Sequence, residues 1–191
     1  WAIINGERQH GVTLHFMSSG VDSGDLIGQK MVDIDREDTG LSLYKKCEDA
    51  GLSLLQDTWP DIVSQNVTRI SQDSDNALYY DRNYPYGGVI NFSWTAQQIH
   101  DYVRAMTFPP FPNPFTFFRG RKLTVMQTKI GDDRPGDQPA GRIIDIGQSV
   151  TVQTTKGTIH LLACMDNRDR ERSMPDIINA YGFQVGVNLG R

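Results

Sequence analysis

A chain of 191 residues with 19 basic and 23 acidic side chains, net charge -4, is long enough for one domain and a small second one. That balance gives no dedicated nucleic-acid surface, although it leaves room for a local basic patch. No apolar run approaches the roughly 20 residues of a membrane span and no signal-peptide pattern is visible. Cys47 and Cys164 lie far apart without metal-ligand spacing and read as buried free thiols of a reducing cytoplasm.

Trp1 to Asn5 reads as the last turn of a helix, closed by Gly6. Gly11 to Met17 reads as a strand, because Val12, Leu14 and Phe16 alternate with Thr13, His15 and Met17. Ser18-Ser19-Gly20 breaks it. Val21-Asp22-Ser23-Gly24-Asp25 follows, two carboxylates bracketing a serine and a glycine, and a second strand is expected over Leu26 to Ile34. A histidine on a strand with an acidic loop at the strand's end is where open α/β sheets place their chemistry. The same composition also makes an ordinary turn.

Asp33, Asp35, Arg36, Glu37 and Asp38 read as a solvated connection. Thr39 is the expected N-cap of a long amphipathic helix with Leu41, Tyr44, Cys47, Leu52, Leu55, Trp59, Ile62 and Val63 on its apolar stripe. Pro60 kinks or breaks it. Trp59, on the stripe, is expected in the core rather than stacked on a cofactor. Residues 66 to 83 are polar and irregular, and a tyrosine-rich loop precedes the short extended piece Val89 to Phe92. Thr95 and Gln98 form a capping box for a helix bearing Ile99, Tyr102, Val103 and Met106. Pro109, Pro110, Pro112 and Pro114 then forbid regular helix or central strand, which marks a domain boundary.

Beyond it the pattern is β. Lys122 to Lys129, Gly141 to Ile146, Ser149 to Thr154 and Thr158 to Cys164 are expected strands with glycine turns between them, as in a small open barrel. Pro175 to Ala180 reads as a short helix and Gly182 to Leu189 as a final strand.

The stretch Gly11 to Ile27 resembles the signature of folate-dependent formyltransferases, on Gly11, Thr13, His15, Met17, Val21, Asp22, Gly24 and Ile27. Its Asp-x-Gly core and the distance back to Gly11-x-Thr13 are the specific features. Leu14 stands where a β-branched residue is usual, and Ser18-Ser19 where an acidic one is common. Trp1 to Glu7 is similar to the helix end before the signature, and RAMTFPPFPNPF, ending at Phe115, to the family's Pro-rich connector.

The resemblance implies an α/β fold, the C-terminal part of a Rossmann-like formyltransferase sheet followed by a small OB-like β-barrel domain. The implied domains are 1-107 (C-terminal part of the catalytic domain), 108-118 (Pro-rich linker) and 119-191 (β-barrel). The implied chemistry is transfer of a formyl group from 10-formyltetrahydrofolate to a primary amine. Asp22 matches the family's catalytic aspartate and His15 a second, supporting histidine. Ser18, Ser19, Gly20 and Val21 would approach the pteridine, and no metal is implied. Asp25 competes with Asp22, but the register that holds Gly11, Thr13 and Gly24 assigns the role to Asp22. Family members carry an Asn-x-His pair upstream of the position of Trp1, so the chain reads as part of a longer parent and is expected to be inactive alone. His10, His100 and His160 match no role.

The connector looks most like that of enzymes that formylate a nucleotide-linked amino sugar. Methionyl-tRNA formylation is the alternative enzyme reading. Arg119, Arg121, Lys122 and Lys129 hint at the basic surface that tRNA would need, while Asp132, Asp133 and Asp137 dilute it. A non-catalytic folate-binding fragment is the third reading. A homodimer is compatible with each, and a membrane partner is not expected. Tyr84, Tyr86, Trp94, Phe108, Phe111 and Phe115 are expected to form an inter-domain core rather than to stack on a base.

Overall fold

The computed structural model describes residues 1-73, 75, 77-80, 83-132 and 136-190. Asp133, counted above against a basic surface, lies outside them, as do positions 74, 76, 81 and 82 of the polar stretch. The chain forms two compact units. The first holds Glu7–Arg82 with Ala2, and the second Asn83–Arg191 with Trp1 and Ile3–Gly6. They therefore divide upstream of the Pro-rich stretch at 108-118.

The first unit is a hairpin under a helix. Strands β1 (Gln9–His15) and β2 (Leu26–Asp33) pair antiparallel, Gln9 opposite Asp33, with a register shift between Leu14 and His15. Helix α1 (Gly40–Val63) begins at Thr39, whose side chain accepts from the Ser42 N–H while the Ser42 hydroxyl accepts from the Thr39 N–H. Pro60 sits in its last turn without ending it. The helix approaches β2 at Gly28, where an added Cβ would lie 3.1 Å from Leu54 Cδ1.

Two expectations fail here. The buried face of α1 carries Leu43 and Leu54, not the expected stripe, and Trp59 is 56% exposed. The acidic run before α1 is more than a solvated connection. Asp38 is buried, accepting from the Asp35 N–H at 2.7 Å, the Ser42 hydroxyl at 2.7 Å and the Lys46 ammonium at 2.6 Å.

The second unit is a curled antiparallel sheet of six strands: β3 (Phe115–Phe118), β4 (Arg121–Ile130), β5 (Ile143–Ile146), β6 (Val150–Gln153), β7 (Thr158–Met165) and β8 (Glu171–Arg172). The order is β3-β4-β7-β6-β5, with β8 on β7. Helix α2 (Ala96–Ala105), with the Thr95–Gln98 capping box, buries Ile99, Tyr102 and Val103 in the same core as Phe118, Leu123, Ile143, Val152 and Leu161. Residues from both ends of the sheet share that core, so the sheet curls over it.

Helix α3 (Met174–Tyr181) adds Ile177 and ends at Gly182, whose φ of 66° only glycine adopts freely. Residues 182 to 189, expected to form a strand, instead make an isolated bridge between Arg142 and Asn188, flanked by backbone hydrogen bonds of 2.8 Å from Gly186 and Leu189 to the carbonyls of Ile143 and Gly141. The aromatic cluster of Tyr86, Trp94 and Tyr102, with centroids 4.8 to 5.7 Å apart, lies inside this unit rather than between domains. Cys164 is fully buried, and burial pushes its thiol up to about 12, whereas Cys47 is only half-buried.

Candidate functional site

The end of the β1–β2 hairpin is the one place where the candidate residues meet. The ladder does not stop at His15, because the Phe16 N–H donates to the Asp25 carbonyl at 2.9 Å and closes residues 17 to 24 into a compact loop. Gly24 folds back under Phe16 so tightly that a Cβ there would stand 1.7 Å from the Phe16 carbonyl oxygen. That contact is with backbone, so only glycine fits. The motif's glycine is thus a packing requirement of the loop.

The same Phe16 carbonyl lies 2.8 Å from His15 Nδ1. A carbonyl only accepts, so Nδ1 carries the hydrogen. Nε2 is left facing outward, and 3.7 Å from it stands Asp22 Oδ1. Asp22 is 77% exposed on its side chain and holds a positive φ of 52°, a left-handed turn that aspartate tolerates better than most residues. The pair is therefore oriented from behind by backbone and open to solvent in front.

Asp25 points elsewhere. Its Oδ2 is 3.7 Å from Arg69 NH1, and the Arg69 guanidinium also lies 3.8 Å over the Phe16 ring. The structure thus separates the two carboxylates, Asp22 beside the histidine and Asp25 in a brace.

Ser18, Ser19, Gly20 and Val21 form the exposed outer limb of the loop. Ser18 Oγ and Ser23 Oγ are 2.8 Å apart and hold that limb against the Asp22 turn. Met17 and Val21 are 96% and 80% exposed, two apolar side chains beside an ionisable pair.

Sequence reasoning missed the support behind the loop. Gln72 Nε2 donates to the carbonyls of Asp22 at 2.9 Å and Gly24 at 2.5 Å, and Leu26 and Ile70 exchange backbone hydrogen bonds of 2.8 and 3.2 Å. Residues 69 to 72 therefore fix the turn that carries Asp22. They sit in a stretch that read as irregular, and no local pattern announces a glutamine that acts fifty residues away in sequence. His100 and His160 each meet a threonine hydroxyl, Thr128 at 3.0 Å and Thr151 at 2.9 Å, and are structural.

Two family models match this chain. Formyl transferase, C-terminal domain, covers residues 85–182, and Formyl transferase covers residues 1–58. The chain belongs to the formyl transferase family. Among relatives, it is 35% identical over 130 residues to the bifunctional polymyxin resistance protein ArnA of Wigglesworthia glossinidia brevipalpis, spanning 68% of this chain and 20% of that protein. A 4-N formyltransferase from Francisella tularensis is 29% identical with a TM-score of 0.56, over 63% of this chain and 51% of that one.

An N-formyltransferase from Helicobacter canadensis, solved with folinic acid and dTDP-3-aminofucose, superposes with a TM-score of 0.67 at 23% identity, over 84% of this chain and 58% of that one. The last comparison speaks to the fold alone. The chain thus spans a fifth to little more than half of these formyl transferases. Among the described residues no helix is long and apolar enough to cross a membrane.

Proposed function

We propose that this chain carries the aspartate-bearing part of the active site of a cytoplasmic enzyme that transfers a formyl group from 10-formyltetrahydrofolate to the amino group of a nucleotide-linked sugar. The observation that carries this reading is the His15–Asp22 pair, 3.7 Å apart, oriented by the Phe16 carbonyl and open to solvent. The 29% identical Francisella 4-N formyltransferase supports transfer of the formyl group to an amine nitrogen, and the dTDP-3-aminofucose held by the Helicobacter enzyme of the same fold gives the sugar class of this reading.

The folate supplies a formyl carbon activated on N10. The acceptor amine adds to that carbon, the new C–N bond forms, and the C–N10 bond breaks. The amine nitrogen sheds one proton and N10 gains one. In this reading Asp22 receives the amine's proton. A positioned general base contributes roughly 10²- to 10⁴-fold to such a step. His15 acts through its Nε2, which faces the same carboxylate. Ser18, Ser19, Gly20 and Val21 would hold the pteridine edge, with the exposed Met17 and Val21 side chains against its faces.

The test offers the intact enzyme a dTDP-linked amino sugar and methionyl-tRNA at equal concentration across a salt series. Formylation of the sugar, with the tRNA untouched, is expected. Formylation of the tRNA, falling steeply with salt while the sugar is inert, would move the assignment to the tRNA enzymes.

A further inference from the structure

We propose that the second unit holds a separate binding groove for a diphosphate-bearing small molecule, built from Arg121, Arg168, Arg170 and Arg172. The groove has a volume of about 710 Å³ and runs between the start of β4, the turn joining β7 to β8, and α3. None of its residues belongs to the candidate active site.

Its organiser is Asp166, almost fully buried at the end of β7. Oδ1 accepts the backbone N–H of Arg168 at 2.9 Å and of Arg170 at 3.1 Å, which shapes the turn. Oδ2 accepts Arg170 Nε at 3.0 Å and NH2 at 2.8 Å, and Arg172 Nε at 3.4 Å. The guanidinium of Arg170 and the turn's N–H groups hold this carboxyl well below the usual range, so it stays charged. From the opposite side Arg121 is anchored by NH1 on the Ala180 carbonyl at 2.8 Å, with its guanidinium 4.1 Å over the Tyr181 ring.

One carboxylate thus aims the guanidinium groups of Arg170 and Arg172 while engaging only part of their donors. Arg168 makes no side-chain hydrogen bond among the described residues, and the outer N–H groups of Arg172 are equally free. The other carboxylate of the lining, Asp176, already accepts from the Ser173 hydroxyl at 2.7 Å. Four cations therefore face two carboxylates, and positive charge is left over in a concave site.

Several preoriented forks suit a ligand with many oxygens on adjacent tetrahedral centres better than a single carboxylate. The volume exceeds what one phosphate fills and is of small-ligand size. Ile177, Ala180 and Asn179 line the remainder, a short apolar and amide wall for the rest of such a molecule. The chain's net charge of -4 favours a small anion over a nucleic-acid backbone.

Calorimetric titration of the full chain with inorganic pyrophosphate, inorganic phosphate, dTDP and single-stranded RNA tests this. Pyrophosphate and dTDP should bind at 150 mM salt, and inorganic phosphate at least about tenfold more weakly. Arg168→Ala and Arg172→Ala should each weaken pyrophosphate about tenfold with an unchanged melting temperature, while Arg36→Ala, in the first unit, changes nothing. Pyrophosphate that fails to bind, or that binds equally well to the Arg168 and Arg172 variants, overturns the proposal. So does RNA that binds these arginines with a steep salt dependence where pyrophosphate does not. The readout is binding, so it stands or falls separately from the formyl-transfer reading.

Discussion

Gly24→Ala is the sharpest test of how the loop is built. The added Cβ would lie 1.7 Å from the Phe16 oxygen and 2.7 Å from its carbon. Ordinary contact begins near about 3.5 Å, so the two backbone segments would have to part by about 2 Å. That breaks the 2.9 Å hydrogen bond from the Phe16 N–H to the Asp25 carbonyl, and it moves the carbonyl that orients His15. Overpacking costs about 1–3 kcal/mol and a lost backbone bond about 1 more, giving roughly 3 kcal/mol. For a unit of this size that lowers its melting by on the order of 15 °C.

Gly51→Ala is the matched control. It lies inside α1 with nothing within 4 Å of the new methyl, so it should gain up to about 1 kcal/mol from helix propensity. Hydrogen exchange of the β1–β2 amides with urea unfolding followed by circular dichroism reads both. A Gly24→Ala chain within about 0.5 kcal/mol of the parent, with native protection at Phe16, would refute the packing argument.

Thr95→Ala should cost about 1 kcal/mol in urea unfolding, because the Gln98 N–H loses its capping oxygen. Asp166→Asn should alter the acid limb of stability. The carboxyl's value in the folded chain lies below its unfolded value, so its stabilisation is complete above about pH 4 and fades as pH falls below that. The variant should be less stable than the parent at pH 7 and should lose less on acidification. Parallel stability–pH curves for the two would contradict the role given to this carboxylate.

Short-range signals carried much of the fold. Thr39 and Thr95 announced their helices, and the alternation around Val12 and Leu14 announced β1. Glycine turns separated the strands after Lys122. Where the sequence misled, the deciding contact was long-range. Periodicity marks α1 as amphipathic, yet only its seat on the β1–β2 hairpin, with Leu54 against Gly28 of β2, selects Leu43 and Leu54 for burial and leaves Trp59 outside.

Phe115–Phe118 directly follows the prolines and does not alternate polar with apolar, so β3 was hidden in the connector. Gly182 to Leu189 has strand composition, but its backbone pairing is limited to residues 186 to 189 against residues 141 to 143, too short for a strand. Asp22, His15 and Gly24 could be singled out because their spacing resembles a family signature, and the structure brings the three together. Arg69 and Gln72 could not, since their partners lie on another part of the chain.

The central claim is that Asp22, rather than Asp25, is the working carboxylate. Turnover of a dTDP-linked amino sugar by Asp22→Asn and Asp25→Asn forms of the intact enzyme tests it most directly. Asp22→Asn should keep the melting temperature and lower kcat by about 10²- to 10⁴-fold. Asp25→Asn should stay within about tenfold of the parent, because among the described residues its carboxylate pairs with Arg69 and not with His15. An Asp25→Asn enzyme that is the more damaged of the two, or an Asp22→Asn enzyme that retains parental turnover, would contradict the account.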